Sequence, residues 1–174
     1  MHLQPNLQNE TIKIIPLKEE DFEKLYALAS DPLVWAQHPN KNRYQCEVFQ
    51  NFFKGAMESK GAFLVLNTET GEVMGSSRYY DFDKEKSSVA IGYTFLGRKF
   101  WGGKYNPSLK KLMMDYAFQF VENVIFHIGA VNIRSQTAIE RLSAEKIAEE
   151  EITYYGEESK LNFVYRIRKD DWVK

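Results

Sequence analysis

The chain has 174 residues, 44% of them hydrophobic and 14% aromatic, which is the size of one ordinary domain and excludes a disordered or low-complexity protein. Its 23 Lys and Arg against 24 Asp and Glu give a formal net charge of -1, so no global field directs it to nucleic acid or an anionic membrane, and any anion site must be local. The single cysteine, Cys46, excludes an intrachain disulfide and a cysteine-rich zinc site, and His2, His38 and His127 have no metal-ligand spacing.

The opening MHLQPN has neither a basic nor an apolar targeting region, and no run approaches the roughly 18 apolar residues of a membrane span. With the sparse cysteine usage this reads as a soluble protein of the reducing cytoplasm. No internal repeat or Pro/Gly/Ser-rich linker interrupts the chain, so residues 1–174 read as one domain.

Thr11 to Leu17 is predicted as a short strand, with Pro16 marking an edge or a strand end. Glu19 to Ser30 then shows helical spacing at Phe22, Leu25, Tyr26 and Leu28 or Ala29, and Asp31-Pro32 stops it. Glu47 to Ser59 repeats the pattern with Phe49, Phe52, Phe53 and Met57, ending at Gly61. From Ala62 the texture changes to a hairpin turning at Glu69–Glu72, its second strand running to about Phe82. Ser87 to Leu96 is apolar on both registers near its centre, as an inner strand would be. After a loop rich in glycine and basic residues, Asn106 to Val121 has the plainest helical periodicity, with Asn106 as N-cap and Pro107 at the first helical position. Val124 to Gly129 is a strand, Ile133 to Leu142 a short helix, and Ile147 to Tyr155 with Leu161 to Ile167 a closing strand pair. The order is an α/β arrangement: one strand, two helices, three strands, a helix, a strand, a helix and two strands.

The chemistry lies in the strand, loop and helix start from Tyr93 to Pro107. Free N–H groups at a helix start, with the helix dipole, bind phosphate, and Gly102-Gly103 lets backbone approach such a ligand. Arg98, Lys99, Lys104, Lys110 and Lys111 add a local positive excess with no acid among them. A solvated basic loop explains the same composition equally well. The Walker and Rossmann glycine patterns are absent.

The order of elements, together with Ile91-Gly92-Tyr93, Trp101-Gly102-Gly103-Lys104-Tyr105-Asn106, Asp115-Tyr116-Ala117-Phe118 and Asn132-Ile133-Arg134-Ser135, resembles the GNAT acyl-CoA N-acyltransferases. The RimJ/RimL-like branch, which acetylates ribosomal-protein serine or alanine termini, is the nearest in its motifs. The resemblance runs from about Thr11 to Trp172. It implies a mixed, mostly antiparallel sheet of six or seven strands flanked by about four helices, and acetyl-CoA as cofactor. Carried over, it places Phe95 and Leu96 on the pantetheine arm, and Trp101, Gly102, Gly103, Lys104, Tyr105 and Asn106 on the pyrophosphate. Asn132 and Ser135 fall at the thiol end, and Arg134 within reach of a CoA phosphate. Plain helix capping is the competing role for Asn132 and Ser135.

The sequence departs from the pattern. Lys104 and Asn106 replace a glycine and a small residue of the usual phosphate loop, Ile139 stands where many members have a tyrosine acid, and Ala90 where the branch often has a glutamate. Acetyl transfer from a thioester still needs proximity, a polarised carbonyl, a deprotonated amine and a proton for sulfur. Ser135 matches the branch's acid. For the base, Asp81, Asp83, Glu85 and His127 are candidates and none is singled out. Trp35, His38, Arg78, Tyr80, Tyr154 and Tyr155 would line the acceptor end, with core packing as the alternative for the aromatics. A buried Arg78 requires either a structural acid or a substrate carboxylate. The acceptor is an amine on a protein N-terminus, or alternatively on a small molecule such as a polyamine, amino acid or antibiotic. A catalytically weak CoA-binding domain is the rival outside that class. No nucleic acid or membrane partner is expected, and a homodimer is left open.

Overall fold

The computed structural model describes residues 1–154 and 156–172. Its centre is an eight-stranded sheet of order β1-β2-β3-β4-β5-β6-β8-β7. The strands are β1 (Leu7–Gln8), β2 (Ile12–Pro16), β3 (Ala62–Asn67), β4 (Val73–Asp83), β5 (Ser88–Leu96), β6 (Asn123–Gly129), β7 (Glu145–Ile152) and β8 (Lys160–Arg168). The helices are α1 (Phe22–Ala29), α2 (Cys46–Ser59), α3 (Tyr105–Ala117), α4 (Ile133–Glu140) and the four-residue α5 (Lys169–Trp172). All pairings are antiparallel except β5 with β6.

The two-residue β1 and the four-residue α5 go beyond the six or seven strands and about four helices implied by the sequence. Both are too short to carry a periodic signal. β1 also explains Pro16: it covers only Ile14 and Lys13, so the proline at the end of β2 faces no strand on that side and its missing N–H breaks no ladder. The closing strands lie at Glu145–Ile152 and Lys160–Arg168, and the expected strand end at Tyr155 falls outside the described residues.

Both faces of the sheet are covered. On one, Leu109, Met113, Met114 and Ala117 of α3 pack with Ile139 of α4 onto Ile14, Phe63, Val65, Val89 and Ile91. On the other, Leu25 and Ala29 of α1 and Phe49, Phe52, Phe53 and Ala56 of α2 pack onto Ala62, Leu64 and Phe95. The period-two alternation of β3 sends Phe63 and Val65 one way and Ala62 and Leu64 the other, so the strand reads as a continuous apolar run. Helix α2 ends at Lys60 in the left-handed region, followed by Gly61, where a Cβ would lie 2.0 Å from the Tyr79 carbonyl oxygen. Only glycine permits that approach.

Two features shape the site. β6 pairs with β5 only through Ser88–Ala90, so from Ile91 onward the strands part and leave a wedge. In the same stretch β5 carries a bulge: Ser76 faces Phe95 and Arg78 faces Gly92, with Tyr93 at φ 53° taking up the extra residue.

Helix α3 begins and ends earlier than its periodicity predicts. Lys104 occupies the cap, so Asn106 is the second helical residue and Pro107 the third, still within the first turn where a missing N–H costs nothing. The chain leaves the helix at Phe118, exposes Phe120 and turns so that Val121 is buried on entering β6. A buried Val121 therefore fits the helical stripe without belonging to the helix.

Candidate functional site

The wedge opens into a cavity of about 570 Å³ lined by β5 from Ile91 to Leu96, β6 from Phe126 to Gly129, the loop Phe100–Gly103, the start of α3 and one face of α4. Of the residues singled out from the sequence, Phe95, Leu96, Trp101, Gly102, Gly103, Asn106, Asn132, Arg134, Ser135, Trp35, Tyr80 and His127 line it. The Lys104 and Tyr105 side chains do not: Lys104 is exposed, and the Tyr105 ring packs edge-on against Phe100 at 5.6 Å. Arg78 lies behind the wall, its guanidinium 3.7 Å from the centroid of the Tyr93 ring.

At one end, the first hydrogen bond of α3 runs from the Ser108 amide to the Lys104 carbonyl. The amides of Gly102, Gly103, Lys104, Tyr105 and Asn106 have no acceptor among the described residues. A Cβ built on Gly102 or Gly103 would meet nothing within 4 Å, and the Asn106 side-chain oxygen is buried without a donor. Unpaired amides converging beside open space fit a phosphate-bearing cofactor.

The surrounding charges are less available than their spacing suggests. Arg98 pairs with Asp31 and Lys99 with Glu72, acids distant in sequence, and Lys111 pairs with Asp115 one helical turn away, so most of the local excess is neutralised. Of the five basic residues only Lys110 lines the cavity. Across the cleft, Arg134 lies 3.8 Å from the Trp101 ring centroid, and the Trp101 indole N–H donates to the Leu96 carbonyl at 2.9 Å. This contact joins the loop after β5 to α4.

Asn132 caps α4: its side-chain oxygen accepts the Ser135 amide at 3.3 Å. The Ser135 hydroxyl takes no part in that cap and faces the cavity. Ile139 is fully buried in the core, so α4 offers no hydroxyl there.

At the other end, Trp35, Tyr80, Tyr93 and Tyr154 form the wall. Tyr93 packs edge-to-face with Tyr80 at 5.1 Å and with Tyr154 at 5.3 Å. The Tyr80 hydroxyl lies 2.6 Å from His127 Nδ1. Burial raises the Tyr80 phenol well above its ordinary range, so it stays protonated and donates to Nδ1. Burial also holds His127 below 6.5, against weaker opposing pulls from Glu150 and Asp81, leaving the ring neutral near pH 7 with its proton on Nε2. Asp81, Asp83 and Glu85 stay outside the cavity, and no Asp or Glu lines it among the described residues.

Arg43 was not legible as a site residue. It is 2% exposed and donates to both carboxylate oxygens of Glu157, at 2.7 and 3.1 Å, with His38 Nε2 3.2 Å from Nη1. Its partner is 114 residues away, so no local pattern announces it. Burial, then the neighbouring Arg43 charge, drives His38 well below its ordinary value, so it stays neutral. Arg78 has no acid partner among the described residues. It is 5% exposed, Nε and Nη2 have no acceptor, and burial pulls its guanidinium down to about 10.

An acetyltransferase (GNAT) domain model matches residues 11–145, more than three quarters of the chain, and the chain belongs to that family. It is therefore an N-acetyltransferase that uses acetyl-CoA and acts on an amine. The fold is similar to that of a GCN5-related N-acetyltransferase from Brucella melitensis, with TM-score 0.83 and 15% identity over 98% of this chain and 81% of that one. It is also similar to a GNAT-family acetyltransferase from Bacillus anthracis, with TM-score 0.74 and 16% identity over 95% and 99%. A spermidine N-acetyltransferase from Vibrio cholerae, solved with CoA and spermine, has TM-score 0.70 and 10% identity over 95% and 100%. No curated protein matches the sequence. No helix among the described residues is long and apolar enough to cross a membrane.

An unpaired buried guanidinium is destabilising, so Arg78→Met should leave the protein at least as stable as the wild type. The expected gain is about 1 kcal/mol, read as a rise of roughly 2–4 °C in the melting temperature. A clear fall would instead show Arg78 to be a structural residue.

Proposed function

We propose that this chain acetylates a primary amine by direct attack in a ternary complex, with acetyl-CoA along the wedge between β5 and β6 and the acceptor at the Tyr80–Tyr154 end. The observation that carries this reading is the set of unpaired amides at residues 102–106 beside the parted strands. Those amides would hold the pyrophosphate. The free edge of β5 from Tyr93 to Leu96 would hold the pantetheine arm, and Arg134 with Trp101 would flank it. Acetyl-CoA supplies an acyl group already activated as a thioester.

The remaining work is positioning and proton transfer. Tyr80 takes the surplus proton of the acceptor amine as it passes its own to His127 Nδ1. The Ser135 hydroxyl donates a hydrogen bond to the leaving sulfur. The absence of carboxylates from the described lining disfavours a polyamine, which needs acids to bind its cations. A peptide N-terminus brings no further cation to a lining without described carboxylates and agrees with the RimJ/RimL-like motifs. An amino acid carrying its own carboxylate is the second reading, favoured by a lining that holds Arg43, Arg134 and Arg141 and no described Asp or Glu. Cys46 is exposed and free, which suits the cytoplasm.

Calorimetry with CoA, followed by turnover on a panel of peptide and small-molecule amines, tests the assignment. Gly103→Val should weaken CoA binding at least tenfold with an unchanged melting temperature, because its Cβ enters open space and its φ is ordinary. Gly102→Val should lose stability as well, since Gly102 sits at φ 71° and a branched residue there costs roughly 1–3 kcal/mol. Unchanged CoA affinity in Gly103→Val would remove the phosphate assignment.

Ser135→Ala should reduce turnover several-fold while leaving CoA affinity intact; equal loss of both would return Ser135 to helix support. His127 must be neutral to accept a proton, so kcat/KM should fall as pH drops through a midpoint below 6.5. That limb should vanish in His127→Gln, while the limb set by the acceptor amine's own ionisation remains.

A further inference from the structure

Lys110 stands apart from the other basic residues near the loop. It faces the cavity, and its ammonium has neither an ion pair nor a hydrogen bond among the described residues. The nearest aromatic is Phe126, whose ring centroid lies 5.7 Å from Nζ. Phe126 immediately follows Ile125, the last residue of β6 paired with β5, so this cation sits toward the closed end of the wedge. The unpaired amides of residues 102–106 lie toward the open end, past Leu96. Lys110 lies one turn of α3 beyond Asn106, roughly 6 Å along the helix axis. Its ammonium, held beside Phe126, therefore addresses a molecule lying along the wedge further toward the closed end than the amides do.

Resting on the acetyl-CoA reading above, we infer that Lys110 is the charge partner of the cofactor's sulfur and holds the negative charge that develops there as the acyl group leaves. As the carbon–nitrogen bond forms, the carbon–sulfur bond breaks and its electron pair stays on sulfur, opposite the Lys110 ammonium. The amine's surplus proton goes to Tyr80 and on to His127, so atoms and charge balance without a further reagent. Ser135 alone would face this charge with a neutral hydroxyl, a weak donor for a thiolate. An ammonium in a water-poor cleft lined by Phe126 and Ile91 is worth far more than it would be in water.

The stability side agrees. Burial alone pushes the Lys110 ammonium down to about 8, a cost that no described carboxylate offsets and that a bound anion would. An apolar replacement should therefore stabilise the free protein while harming function, which is opposite to what a structural lysine would do.

The test is titration of the CoA thiol in its complex with the protein, followed by the ultraviolet absorbance of the thiolate, in the wild type, Lys110→Met and Lys110→Arg. Calorimetry with CoA and with desulfo-CoA and thermal melting accompany it. The wild type should lower the thiol pKa by at least one unit, a tenfold shift of the ionisation equilibrium. Lys110→Met should abolish that shift, melt no lower than the wild type and bind desulfo-CoA as the wild type does; Lys110→Arg should keep most of the shift. If Lys110→Met weakens CoA and desulfo-CoA equally and leaves the thiol pKa unchanged, Lys110 belongs to the phosphates and the inference is overturned. A fall in melting temperature with no change in either ligand property assigns it to structure and overturns it equally. Failure of the wild type to bind CoA would instead remove the cofactor assignment on which it rests.

Discussion

The parting of β5 from β6 after three paired residues is the constraint on which the rest of the site depends. A parallel pair held along its full length would fill its own edges with hydrogen bonds and leave no room for a ligand between the strands. Here the pairing stops at Ala90 and Ile125, and the backbone edge of β5 faces open space. The bulge at Tyr93 lies in this freed segment. A bulky residue at positive φ is strained by roughly 1–3 kcal/mol, and it persists because its ring is packed between Tyr80, Tyr154 and Phe52. The strain at the bulge and the burial of Arg78 meet at that ring.

Charge within the cavity follows a single rule. Arg43, Lys110, Arg134 and Arg141 line it, and no Asp or Glu does among the described residues. Elsewhere acids and bases are nearly balanced and mostly paired across the surface, where each pair contributes little. Arg43 is compensated by Glu157, which ties the loop after α1 to the turn between β7 and β8. Lys110 and Arg78 have no compensating acid among the described residues. Groups of this kind lower stability in the free state and gain partners when an anionic ligand or a hydrogen-bond acceptor arrives, a common trade between stability and function.

Much of the fold was legible because long elements carry their period openly. The apolar stripes of α2 and α3 and the all-buried run of β3 follow from burial on one or two faces of the sheet. The segment between β5 and α3 was legible as a glycine-rich basic loop, while its composition alone left a solvated loop equally open. Boundaries were less so: Val121 matches the helical stripe but is buried by the turn into β6, and β1 and α5 are too short for any period to show.

The succession of the longer elements, the glycine loop before α3, the family resemblance and many of the residues that line the cavity are legible along the chain. Only the tertiary structure decided which charges are free. Lys111 has its acid one helical turn on, at Asp115, but Arg98 and Lys99 find theirs at Asp31 and Glu72 while Lys110 faces the cleft, because those pairings depend on distances between segments far apart in sequence. The same reason hid Arg43, whose partner comes from the opposite end of the chain, and set Arg78 against the Tyr93 ring, where the sequence left a structural acid and a substrate carboxylate both open. Periodicity is a local property and can be read from neighbours. Compensation of charge is a property of the assembled fold.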